Sequence, residues 1–221
     1  MIPLVSPYIE CNTISQAWPA ALDRIYRHGR LMQDQRGNLT YDLPDVHIAL
    51  RDPTRGMIPN IPVAPGVTAW RNRDQLDRYF DTEIFDIDPH GFPYIYGEYL
   101  VPGILHAVDE LSKNPNSRRI VIPVGEPDDM RRPNPACLRI YWLRIIQDHL
   151  FGGTYWRSRD FAGGWATNAY GMVRLLELAA DELGLPVGSY SDISASGHIY
   201  AGAVGNKNDC GDIGWVKEYI L

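Results

Sequence analysis

Cysteine is scarce in this 221-residue chain: Cys11, Cys137 and Cys210 stand far apart, with no CxxC pair. That excludes the disulfide framework of a small secreted domain and suits a reducing compartment, so a cytoplasmic protein is expected. No run approaches 18 consecutive apolar residues, which excludes a membrane-spanning helix. The stretch from Met1 to Cys11 lacks both a basic start and a long apolar segment, so no signal peptide is expected. Basic residues are outnumbered, 21 Lys and Arg against 27 Asp and Glu, for a net charge of -6. A broad nucleic-acid-binding face is thereby excluded, while a local basic pocket for one phosphate is not. Missing too are GxGxxG, P-loop, HExxH and GxSxG motifs, internal repeats and low-complexity tracts. No metal site is expected.

What is present is ordinary globular composition, 45% hydrophobic and 22% charged. A chain of this length buries about 70% of its unfolded surface, and no proline-rich stretch divides it, so residues 1–221 are expected to form one domain. Helical spacing of Trp18, Leu22, Ile25 and Tyr26 predicts a helix over Trp18 to Arg27, with Pro19 in its first turn and Gly29 as its stop. Further helices are expected over Arg73 to Phe80 and Gly103 to Leu111. Asp52 to Gly66 and Pro89 to Pro93 read as irregular chain. Strands are expected over Val46 to Leu50, Ile120 to Val124, Cys137 to Ile146, Leu150 to Trp156 and His198 to Val204. Pro123 puts the second of these at an edge or a bulge, and Gln147 to His149 supplies a turn. Trp165 to Leu183 carries apolar residues on nearly every face, which predicts a buried central helix capped by Gly184. Helices and strands mix without βαβ alternation, so the fold class is α+β, a mixed twisted sheet packed with helices around that central helix.

Several residues carry possible chemistry. Cys137 stands where a proline loop, Asn134-Pro135-Ala136, enters a strand, and nearby arginines favour its thiolate. In Arg157-Ser158-Arg159-Asp160 an arginine and a hydroxyl can hold a phosphate. Extended backbone there would put Arg157 and Arg159 on one face and Ser158 on the other. Arg118-Arg119 is a second basic pair. The Asn168 amide, after Gly163-Gly164, offers donors and an acceptor suited to a uracil edge. His198 and Tyr200 alternate on one side of a strand, in reach of a sugar hydroxyl. Each of these, taken singly, also suits an ordinary core or surface.

In order and spacing, these pieces resemble the thymidylate synthase superfamily. The likeness runs from Asn116-Ser117-Arg118-Arg119-Ile120-Val121 through Arg157-Ser158-x-Asp160 and Asn168 to His198-Ile199-Tyr200. Weaker matches lie at Gln35-Arg36-Gly37 and Tyr94-Ile95-Tyr96-Gly97. The compact form looks like the short archaeal-type synthases. The resemblance implies that Cys137 attacks C6 of a pyrimidine nucleotide monophosphate, so that C5 captures a one-carbon unit. The cosubstrate would be methylenetetrahydrofolate or a methanopterin analogue. Arg157 and Ser158 would hold the phosphate, with Arg36 closing over it and Arg118 and Arg119 arriving from the partner subunit of a homodimer. Asn168 would read the base, His198 and Tyr200 the sugar. Asp160 would lie beside base and pterin, and Tyr96 would assist removal of the C5 proton.

The chain departs from the family pattern in three places. Ala136-Cys137-Leu138 stands where the family has Pro-Cys-His. The helix bearing a catalytic glutamate is not recognisable between Pro59 and Arg73, leaving Glu83 and Glu98 as substitutes. The longer C-terminal segment that closes over the folate is missing or replaced. Methylation of dUMP to dTMP is the favoured reading, Asn168 favouring uracil. The alternatives are a 5-hydroxymethylase acting on dUMP, dCMP or CMP, and a non-catalytic nucleotide-binding protein of the same fold.

Overall fold

A computed structural model describes residues 8–61, 72–88, 94–203 and 211–220. Strand β1 (Tyr8–Cys11) leads into helix α1 (Ile14–His28), then β2 (Arg30–Gln33) and β3 (Asn38–Leu50). After α2 (Arg73–Tyr79) comes a π-helical stretch, Phe80–Phe85, and then α3 (Gly97–Lys113). Strand β4 (Val121–Pro123) precedes a 3₁₀ turn, the hairpin β5 (Leu138–Ile146) and β6 (His149–Trp156), and the two-residue β7 (Arg159–Asp160). Helix α4 (Trp165–Leu183), β8 (Val187–Ala203) and α5 (Ile213–Ile220) complete the order.

The strands form one mixed sheet in the order β1-β3-β8-β6-β5-β4, with β2 beside β3 and β7 beside β8. The β1–β3, β6–β8 and β7–β8 pairings are parallel, and the others are antiparallel. This is the α+β architecture expected. Helix α4 connects the parallel neighbours β6 and β8, the kind of crossover that a parallel pair requires. Twelve of its 19 residues are buried, and Gly184, at φ 65°, ends it in the left-handed conformation. The core is one connected cluster reaching from Ile9 to Val216.

Local chemistry explains where the elements exceed or miss the expected bounds. Helix α1 begins at Ile14, four residues early, because the Thr13 hydroxyl accepts from the Gln16 N–H. Pro19 therefore lies in its second turn, not its first. Helix α3 likewise starts at Gly97, six residues early, and carries Pro102 inside it. Gln147 and Asp148, at φ 49° and 57°, make a two-residue hairpin turn whose twist suits the flanking strands, while His149 already belongs to β6. Pro123 sits in β4, an end strand of the sheet, as expected. Strands β3 and β8 are far longer than the sequence suggests, 13 and 17 residues. The inward positions of β8 include Asp192 and Ser194, which break the apolar pattern. Strands β1, β2 and β7 and helix α5 have no counterpart in the sequence reading. The Pro89 to Pro93 loop lies outside the described residues, as do residues 62–66 of the expected irregular segment and Val204 at the end of the last expected strand.

Candidate active site

The register of two long strands builds one wall of a cavity. Thr40 pairs with Tyr200, and Asp42 with His198, across β3 and β8. Ser196, His198 and Tyr200 share a strand face by their period of two. The Ser196 hydroxyl donates to the Asp42 carboxylate. His198 and Tyr200 meet edge to face, with centroids 5.2 Å apart. Burial holds the His198 pKa below its usual value, against the nearby Asp42 and Asp34 charges, so the ring stays neutral at neutral pH.

The opposite wall comes from the chain around β5 and β6. Cys137, a half-buried free thiol, stands one residue before β5. The Arg157 guanidinium donates from Nε to the Ala136 carbonyl at 3.1 Å and from a terminal nitrogen to the Pro135 carbonyl at 2.7 Å. The Arg157 backbone N–H donates to the Cys137 carbonyl at 2.9 Å. The arginine thus braces the loop that presents the thiol. Asp160 accepts from the N–H groups of Ala162 and Gly163 at 2.9 and 3.1 Å. Burial nevertheless pushes its carboxyl up to about 6, with the nearby Asp212 charge adding to the shift.

At the rim, Asp34 accepts from the N–H groups of Arg36 and Asn38 and so shapes the β2–β3 turn. Arg36 is exposed, and its guanidinium donates to Asn134 Oδ1 at 2.8 Å, bridging the turn to the Cys137 loop. The cavity so formed measures about 380 Å³ and is lined by Arg36, Cys137, Arg157, Ser158, Asp160, His198 and Tyr200, together with Asn134, Thr40, Asp42 and Ser196. That lies within the ~300–1,000 Å³ typical of small-molecule sites.

The last four of these were not singled out from sequence. Ser196 was findable, since it precedes His198 by two in one strand. Thr40 and Asp42 became legible only through the β3–β8 register.

The other predicted residues are not among those lining this cavity. Arg118 and Arg119 line a separate surface groove with Glu110 and Lys113. Asn168 donates from Nδ2 to the Tyr79 hydroxyl at 2.6 Å, and its Oδ1 accepts from Arg159 at 3.5 Å. Arg157 and Arg159 do not share a face, because the strand ends at Trp156. Arg157 and Ser158 both line the cavity, whereas Arg159 turns into the interior, 2% exposed, and pairs with Asp192.

Behind Cys137 runs a chain of tyrosines. The Tyr94 and Tyr96 rings lie 5.7 Å apart, and Tyr94, its phenol pushed up by burial, stands close enough to Cys137 and Arg157 for their charges to act on it. Tyr96 also packs edge-on to Trp156 at 5.5 Å, and its phenol is held well above its usual pKa by burial and by its neighbours Tyr79, Tyr94 and Cys137. Glu83, on the π-helical stretch, lies near enough to Tyr79 to raise its pKa, and its backbone carbonyl accepts from the Tyr96 N–H at 2.9 Å. Burial raises the Glu83 carboxyl as well. Glu98 instead lines a groove with His106 and Arg119. Of the two candidate glutamates, the fold brings only Glu83 to the tyrosine chain. π-Helical turns recur at functional sites.

Among the described residues, no cluster of His, Cys, Asp and Glu is arranged to hold a metal, and no helix is long and apolar enough to cross a membrane.

Comparison with known proteins adds an independent line. A family model described as thymidylate synthase matches residues 70–209. A Methanosarcina barkeri protein named "Putative thymidylate synthase" is 33% identical over 199 residues, spanning 87% of this chain and 88% of that protein. A relative of the same name from Methanothermobacter thermautotrophicus is 30% identical over 208 residues, 87% and 92% of the two chains. One from Methanocaldococcus jannaschii is 23% identical over 221 residues, 96% and 95% of the two chains.

Proposed function

The chain belongs to the thymidylate synthase family, and we propose that it methylates dUMP to dTMP through a covalent bond between Cys137 and C6 of the pyrimidine. The observation that carries this reading is one cavity whose wall joins the Cys137 thiol to Arg157, Ser158, Asp160, His198 and Tyr200.

Neutral uracil is a poor carbon nucleophile at C5. Addition of the Cys137 sulfur to C6 moves the C5–C6 electron pair onto C5 and O4, replacing one hard step with easier ones. C5 then bonds the donor's methylene carbon. Loss of the C5 proton would expel the pterin nitrogen and leave an exocyclic methylene, and hydride added to that carbon would expel Cys137 as the C5–C6 double bond re-forms. Arg157 and Ser158 anchor the phosphate and so fix the ring against the sulfur. Arg36 exchanges its Asn134 partner for the phosphate as it closes. Arg118 and Arg119 act across a homodimer interface, on the partner's phosphate. His198, neutral, and Tyr200 hold the sugar, and Asn168 reads the base. Tyr96 stays protonated and relays the C5 proton. Glu83, its pKa raised by burial, is the better-matched acceptor.

A reduced folate or methanopterin supplies the one-carbon unit and, for methylation, the hydride. The donor set fits such a partner at Asp160, whose carboxyl, at about 6, can exchange hydrogen bonds with a pterin N–H.

The test is tritium release from C5-labelled dUMP with folate and methanopterin donors, followed by mass spectrometry of the product. Release by the wild type, its loss in Cys137→Ala, and gain of a methyl group are expected. A product heavier by one further oxygen assigns the 5-hydroxymethylase activity instead. No release with either donor refutes the transferase reading and favours a nucleotide-binding role.

A further inference from the structure

Asn168 alone cannot choose between pyrimidines. Uracil presents a donor at N3 beside an acceptor at O4, whereas cytosine presents an acceptor at N3 beside a donor at N4. A primary amide serves either edge by turning over about its last side-chain bond, because its oxygen and nitrogen simply exchange places. Discrimination therefore needs a second group that fixes which way the amide faces.

The Tyr79 hydroxyl, 2.6 Å from Asn168 Nδ2, by its own chemistry suits either orientation, since a hydroxyl both donates and accepts. Arg159 suits only one. A guanidinium only donates, and Arg159 faces Asn168 Oδ1 at 3.5 Å. Turning the amide over would set its N–H₂ against a buried cation.

Arg159 is itself immobilised. It is 2% exposed, pairs with the fully buried Asp192 at 2.8 Å, and places its guanidinium carbon over Trp156, 3.5 Å from the ring centre. The Tyr190 hydroxyl donates to the same Asp192 oxygen at 3.2 Å and shares a hydrogen bond with Thr154 at 2.7 Å. Buried ion pairs are commonly neutral or unfavourable against apolar residues of the same volume. Among the described residues, Arg159 Nε and Asp192 Oδ1 also have no hydrogen-bond partner.

We propose that Arg159, held by Asp192 and Trp156, is a positioning residue for pyrimidine choice: it locks the Asn168 amide in one orientation and thereby commits the site to uracil over cytosine. This rests on the reading of Asn168 as the base-contacting residue.

The test is titration calorimetry of dUMP and dCMP on the wild type and on the double variant Arg159→Met with Asp192→Leu, which replaces the buried pair by apolar side chains. The wild type is expected to prefer dUMP, and the preference to shrink by roughly tenfold in the variant, the size of one net hydrogen bond. A fall in both affinities with the ratio unchanged would mean a purely structural role and overturn the inference alone. A wild type that binds neither nucleotide overturns the inference and the functional reading together.

A second measurement needs no variant. In the nuclear magnetic resonance spectrum of the wild type, the Asn168 side-chain amide protons should remain distinct and contact the Tyr79 ring. Contacts from those protons to the Arg159 guanidinium instead would show the amide turned the other way and defeat the proposal.

Discussion

Replacing Asp160 with asparagine should stabilise the protein at neutral pH and do little in mild acid. Burial raises the Asp160 carboxyl from an ordinary 3.8 to about 6, so the folded state holds its proton more tightly than the unfolded chain does. The sign follows from that. Below the unfolded value both states are protonated and no penalty exists. As pH rises through 3.8 towards 6, the unfolded state ionises first and stability falls; above 6 the loss is complete. At 1.36 kcal/mol for each unit of pKa, the full loss is about 3 kcal/mol. An asparagine keeps an oxygen for the Ala162 and Gly163 N–H groups and cannot ionise. Between ~pH 4 and ~pH 7.5 the variant should therefore gain about 2 kcal/mol over the wild type, or ~4–8 °C in Tm for a chain of this size. Paired thermal melts at the two pH values measure this, since the titration of carboxylates not coupled to Asp160 cancels in the difference. Asp212→Asn should shrink the wild-type penalty, because the Asp212 charge adds to the shift. A stability difference between Asp160→Asn and the wild type that is the same at both pH values would refute the argument.

Two other outcomes are expected. Arg157→Lys keeps the charge but loses the planar fork, and should weaken dUMP binding about 10–100-fold by calorimetry, the value of one or two charge-assisted hydrogen bonds. Gly97→Ala should be severely destabilising, beyond about 3 kcal/mol in urea titration, because a Cβ there would stand 1.8 Å from the Asp86 carbonyl oxygen; Gly184→Ala, with open space around it and φ of 65°, should lose only about 1 kcal/mol.

Much of this architecture was readable from residue pattern. The α4 bounds, the β5–β6 hairpin and the edge strand with Pro123 all follow from local rules of period, turn and proline placement. Strand β8 resisted for a physical reason: its inward Asp192 finds its partner, Arg159, 33 residues earlier in the chain, so no local window explains a buried carboxylate. Strands β1 and β7, four and two residues long, carry too little pattern to register. In the cavity, the side chains named from the family likeness were those with distinctive chemistry, whereas Thr40 and Asp42 came from strand register alone. The mistaken expectation that Arg157 and Arg159 share a face assumed that extended backbone continues past Trp156. The chain turns there, and one arginine goes outward while the other goes in.

The triple attachment of Arg157 has a consequence for how such a site can change. The side chain assigned to grip the ligand's phosphate also supports the peptide units on which the nucleophile rides. Tightness of grip and reactivity of the sulfur are then not separable traits. A mutation that retunes one disturbs the other, so drift towards a new anionic substrate must carry a matching change in the Asn134 to Ala136 loop.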